Sequence, residues 1–206
     1  MMFFPQGDMM ISQLNEQLRR IVISGAIREE LASQFLDQIT AFEFTNISAP
    51  VSIYISTYGG DASAALEMYD AMKTCAMPIV TIAMGKCMSA GTLIVAAGEK
   101  GSRFATQNCR FMIHQVSGAC MGNMAEMENA MGETKKLQDI YVGLLSKETG
   151  VPVEKILADI QKGDHYMSAE EAIEYGLIDK IVPERKSQLS KIISTPPKKA
   201  KKASKR

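Results

Sequence analysis

The chain has 206 residues, 46% of them apolar and 22% charged, which is enough apolar material for one sizeable core but too little for two full domains. No stretch reaches the roughly 18 consecutive apolar residues of a membrane span, and Met1–Met10 lacks the basic start and long apolar run of a secretory leader, so a cytoplasmic protein is the default expectation. The formal net charge is zero, but six basic residues and no acid lie between Lys198 and Arg206, leaving the rest at about −6 and arguing against nucleic acid as the main ligand.

In chain order, Arg19–Ser24 is a β-branched run ending at Gly25, a strand. Leu31, Phe35, Ile39 and Phe42 recur at helical spacing within Glu29–Phe42. Val51, Ile53 and Ile55 alternate as a strand that Gly59-Gly60 interrupts, and a helix over Ala62–Lys73 follows with Leu66, Tyr69 and Met72 on one stripe. Pro78 introduces a buried strand, Ile79–Met84, punctuated by Gly85. A helix of small residues runs from Ser89 to about Ala97, and Arg110–His114 is another buried strand. The apolar spacing of Met124, Met127, Met131, Leu137, Tyr141 and Leu144 predicts a long helix over Met124–Glu148, ended by Gly150. Val153–Ile160 is a shorter helix, Ser168–Glu171 is a capping box opening a helix at Ala169, and Ile178–Val182 is a last strand. Strands alternating with helices in this way predict an α/β fold with mostly parallel pairing. Residues 1–186 read as one folded domain; beyond them, 187–206 reads as a basic, disordered tail, suited at most to weak contact with nucleic acid or an acidic partner.

Four segments carry chemistry. Ser89 stands in Gly85-Lys86-Cys87-Met88-Ser89-Ala90-Gly91, where a strand hands over to a helix, and the free N–H groups of that first turn favour nearby negative charge. An N-capping serine is the bland alternative. His114 ends the apolar strand Phe111–His114, as a satisfied core histidine or as a base at a cleft edge, since imidazole titrates near neutrality. Asp164 lies in a loop before the capped helix, as a solvated carboxylate or as the group that orients the imidazole. Its neighbour His165 is expected to point the other way, because adjacent residues of an extended segment face opposite sides. Gly59-Gly60 is an ordinary tight turn or a pair of backbone donors for an oxyanion. Cys87, two residues before Ser89, is a competing nucleophile that does not open the helix. The four cysteines form no Cys-x-x-Cys pair and neither histidine has zinc-finger spacing, so buried thiols and no metal are expected. The 15 methionines are expected mainly in the core.

Together, Ser56–Gly60, Gly85–Gly91, Ala96–Phe104, Arg110–Gln115 and Met167–Asp179 resemble the Clp protease proteolytic subunit family, ClpP, over about Arg20–Val182. The resemblance implies a crotonase-like spiral of βαβ units with a protruding handle helix at about 122–149. It implies a catalytic triad of Ser89, His114 and Asp164, with the backbone N–H groups of Gly60 and Ala90 as the oxyanion hole. Substrate would lie as an extended strand beside Val116, Ser117 and Gly118. The chemistry needs no metal or organic cofactor. A homo-oligomer is implied, a heptameric ring that can stack in pairs around a chamber, fed with unfolded protein by an AAA+ unfoldase. The chain departs from the family pattern at Tyr58, Ala90 and Val116, where Pro, Met and Pro are usual, and at Gly163, where the usual Arg helps couple two rings. The other readings are a catalytically silent ring subunit, a phage-type capsid-processing protease, and an acyl-CoA enzyme of the same spiral fold.

Overall fold

Strands whose residues are buried in alternation, most of them followed by a helix, set the architecture. The computed structural model describes residues 5–183, with side chains from Met10 onward, so the basic tail lies outside the described residues. Its elements are α1 (Pro5–Gln17), β1 (Arg20–Ile27), α2 (Glu29–Thr45), β2 (Val51–Gly60), α3 (Ala62–Thr74), β3 (Ile79–Met88), α4 (Ala90–Ala96), β4 (Arg103–Thr106), β5 (Arg110–Ile113), α5 (Met124–Thr149), α6 (Val153–Gln161), β6 (His165–Met167), α7 (Ala169–Glu174) and β7 (Lys180–Val182). The strands form one seven-stranded sheet with the parallel path β1-β2-β3-β4-β7; β5 pairs in parallel with β3, and β6 pairs antiparallel with β5. The chain is thus an α/β spiral of strand–helix–strand units.

The core lies where the inward faces of the central strands meet the helices. Ile53 and Ile55 of β2 and Thr81 and Ala83 of β3 are fully enclosed. Beside β1 and α3, α2 buries Ala32, Phe35, Ile39 and Phe42, the predicted stripe except that Leu31 is only partly covered. On α3 the buried stripe centres on Met68 rather than on Leu66, because Ala64, Ala65, Met68, Tyr69, Ala71 and Met72 face inward. Asp61 caps this helix by accepting from the Ala64 N–H at 2.8 Å. All seven residues of α4 are buried, which is why the segment is built of small and aliphatic side chains.

β3 and β6 differ from the sequence expectation, which includes neither α1 nor β4. The strand predicted to stop at Met84 continues to Met88, because Gly85 adopts φ +69° and absorbs a register shift instead of ending the strand. β3 therefore forks: Thr81–Ala83 pair with β4, whereas Lys86–Met88 pair with β5. The loop predicted around Asp164 contains the short strand β6, in register with β5 through Ile113 and His165.

On α5, Tyr141, Val142, Leu145 and Glu148 are buried near the C-terminal end, while Met124 and Met131 are 73% and 69% exposed. The first half of the helix thus projects from the body, and its methionines are not core residues. The second half is fastened by ion pairs. Glu148 accepts from the Tyr69 hydroxyl at 2.6 Å and pairs with Lys73 at 2.9 Å. Arg103, itself buried, donates to both oxygens of Asp179 and to the Glu148 carbonyl, joining β4, the approach to β7 and the end of α5. Among the described residues no helix is long and apolar enough to cross a membrane.

Candidate active site

Parallel pairing brings the C-terminal ends of neighbouring strands to one edge of the sheet, the ordinary place for a site in an α/β protein. Ser89 occupies the single residue between β3 and α4. Its backbone sits at φ 51° and ψ −127°, a conformation that costs a non-glycine residue about 1–3 kcal/mol and persists only where the surroundings impose it. The register of β3 and β5 sets Met88 beside Met112, and the Ser89 N–H donates to the Met112 carbonyl at 2.7 Å. The residue after β5, His114, is thereby carried alongside the serine. Its Nε2 lies 2.7 Å from Ser89 Oγ, the separation expected of a nucleophile and its base.

Gly59 explains why the double glycine is there. It holds φ +101°, and a Cβ on it would stand 2.6 Å from the Ser89 Cβ and 2.9 Å from the Met88 carbonyl oxygen. The β2 backbone passes Ser89 this closely, and Gly60 and Ala90 line the same space. Gly60, Ser89, Ala90, His114, Val116, Ser117 and Gly118 all border one cavity of about 480 Å³. Leu66, Leu93, Met112 and Leu137 give this cavity an apolar wall suited to an uncharged side chain. The N–H of Val116 is already occupied, donating to Gln138 Oε1 of α5 at 3.3 Å, which fixes the start of the flanking segment.

Asp164 does not join this group. The register Ile113–His165 brings it opposite His114 in the strand path, but the residue is exposed and its carboxylate accepts from the Tyr166 hydroxyl at 3.2 Å. That hydrogen bond raises the Tyr166 phenol above its ordinary pKa. Among the described residues Asp164 makes no hydrogen bond to His114, so the geometry is that of a Ser–His pair with a carboxylate nearby but turned to another partner. His165 stays away from the cavity and packs against Tyr175, with ring centroids 5.7 Å apart.

Cys87 is fully buried, its Sγ donates to the Gly91 carbonyl at 3.1 Å, and burial drives its thiol well above the usual pKa, so the thiolate a nucleophile requires is suppressed. Burial likewise pushes Cys109 up to about 12. Cys120 is exposed, contrary to the expectation of buried thiols throughout. Among the described residues no group of three or more His, Cys, Asp or Glu side chains could hold a metal ion. Sequence reasoning passed over Thr92 and Tyr141, whose hydroxyls are buried behind Ser89; Tyr141 reads as one more apolar position on a helix until its partner on α4 is known.

Comparison with known proteins points to one family. The sequence model of the Clp protease family matches residues 6–185. The chain is 37% identical over 164 residues, 80% of each chain, to the ATP-dependent Clp protease proteolytic subunit of Deinococcus radiodurans. A serine at a strained strand-to-helix turn, an imidazole in hydrogen-bond reach and this breadth of similarity lead to one conclusion: the chain belongs to the Clp protease family, as a serine peptidase of the proteolytic-subunit type.

Proposed function

We propose that the protein cleaves peptide bonds of unfolded polypeptides with Ser89 as nucleophile, inside a chamber formed by copies of itself. The observation that carries this reading is the 2.7 Å contact between Ser89 Oγ and His114 Nε2 at a cavity bordered by Gly60 and Ala90. His114 takes the Ser89 proton as Oγ attacks the peptide carbonyl, and negative charge develops on the carbonyl oxygen. The N–H groups of Gly60 and Ala90 receive that charge, a contribution of several kcal/mol when the donors are preorganised. His114 then passes the proton to the departing amine, and a water molecule, deprotonated by the same ring, hydrolyses the acyl-enzyme. Asp164 completes the triad by leaving Tyr166 and accepting from the second imidazole nitrogen, which fixes the ring and stabilises its charged form.

The oligomeric part of the reading is supported by apolar side chains left uncovered on the projecting half of α5, Met124 and Met131, and by Met121 just before it, 96% exposed. A second copy of the chain, presenting the same helix, is the occupant that fits a self-complementary apolar surface. The heptameric ring, its stacking into pairs and feeding by an AAA+ unfoldase follow from the family; the relative's designation as ATP-dependent supports the last of these.

The test is labelling of the native, full-length protein with a fluorophosphonate probe, alongside the mass of the native particle. Labelling that is lost in Ser89→Ala, on a particle of several protomers, is the expected result. An intact particle that neither labels nor cleaves an unstructured protein would instead make the chain a silent ring component.

A further inference from the structure

The carbonyl of Ser89 and the N–H of Ala90 belong to one peptide unit, which is planar and trans, so the two groups point in opposite directions. Whatever grips the carbonyl therefore aims the N–H. Two donors grip it, and a third polar group stands behind them. The Thr92 N–H donates at 2.9 Å, as any helix start would provide. The Thr92 Oγ1 donates at 2.7 Å, and the hydroxyl of Tyr141, reaching across from α5, lies 2.7 Å from Thr92 Oγ1 and 3.3 Å from the carbonyl oxygen itself. Thr92 is fully buried and Tyr141 is 7% exposed, so no solvent competes for these hydroxyls. Each hydroxyl has a single proton. The two shortest contacts use both: Tyr141 donates to Thr92, and Thr92 donates to the Ser89 carbonyl.

We propose that Thr92 and Tyr141 are positioning residues for the oxyanion donor, a two-hydroxyl relay that holds the Ser89–Ala90 peptide so that the Ala90 N–H faces the cavity, and that ties this peptide to helix α5. The relay opposes rotation of a peptide whose Ser89 backbone is already strained. Donation to the carbonyl also draws electron density through the amide and makes the Ala90 N–H a stronger donor, the usual behaviour of hydrogen bonds in series. The inference rests on Ser89 being the nucleophile.

The experiment uses the full-length protein, a fluorescently labelled unstructured protein as substrate, and a fluorophosphonate probe. Thr92→Val keeps the branched shape and removes the hydroxyl; it lowers kcat and the labelling rate by roughly 5- to 10-fold, with KM within about twofold, as loss of one buried hydrogen bond felt only as charge develops. Thr92→Ser restores the hydroxyl and brings the rate back. Tyr141→Phe costs about threefold, and because the hydroxyls act in series, Thr92→Val/Tyr141→Phe is no slower than Thr92→Val alone. The proposal is overturned if Thr92→Val keeps a kcat within twofold of the parent, if Thr92→Ser is as slow as Thr92→Val, or if the two losses multiply. Should Thr92→Val fail to assemble on a sizing column, Tyr141→Phe decides by the same kcat criterion. Failure of the nucleophile reading is seen separately, as labelling that survives Ser89→Ala.

Discussion

At Ser89 the chain is hemmed in: β2 passes too close for a Cβ, β5 accepts the serine N–H, and α4 behind it is buried along its whole length. Asp164 stands at the exposed entry of a three-residue strand, and its carboxylate has taken a neighbouring phenol as partner. The backbones of Gly60, Ser89, Ala90 and His114 are set by sheet register and packing, which side-chain rotation cannot undo. The carboxylate is set by a choice between two hydrogen-bond donors in water, where the free-energy difference is about 1 kcal/mol.

The comparison breaks most sharply at the exposed end. If Asp164 reaches His114 during turnover, Asp164→Asn lowers kcat on the order of a thousandfold, as expected when the imidazole loses its orienting carboxylate. A loss under about tenfold in steady-state assays would show that the serine and histidine work as a pair without it. At the enclosed end, Gly59→Ala drives a Cβ into the Ser89 turn and should slow fluorophosphonate labelling about a hundredfold, the penalty of shifting a reacting atom by around an ångström. Unchanged labelling would mean that the turn has room to give.

A third substitution probes the framework and leaves the chemistry alone. Burial alone would raise the pKa of Asp179, but hydrogen bonds from Arg103 outweigh it and hold the carboxyl below its ordinary value. The unfolded chain then binds the proton more readily, so this contribution is present above the ordinary aspartate pKa near 3.9 and is lost as pH falls through and below it. Asp179→Asn should cost about 2–3 kcal/mol at neutral pH in a denaturant titration and reduce the loss of stability on acidification, with the labelling rate of the folded protein unchanged. The smallest effect is expected from Tyr166→Phe. Removing the competing hydroxyl frees Asp164 and raises kcat by about two- to fivefold; a fall in kcat would make Tyr166 a support of the carboxylate and not its competitor.

Strands with strict alternation, such as Val51–Ile55, and helices with clean caps, such as the one opened by Ser168, were legible from the residues alone, because one face of each is buried and one end is chemically marked. β4 and β6 were not: Arg103–Thr106 and His165–Met167 are four and three residues long and owe their extended form to the strands beside them. Gly85 misled because glycine serves both to end a strand and to bend one. In the site, strand-end contexts made Ser89 and His114 candidates, and the family resemblance paired them. The turning of Asp164 toward Tyr166 and the reach of Tyr141 to Thr92 depend on which rotamer meets which partner, and no spacing in the chain encodes that.

The fork in β3 has a mechanical consequence. Ser89, His114 and Asp164 all hang from the outer branch, through Lys86–Met88, β5 and β6, while the sheet's main path continues from the inner branch through β4 to β7. Cys87 of that branch is also in register with Thr57 of β2, so serine and imidazole ride on one platform locked to the strand that carries Gly60.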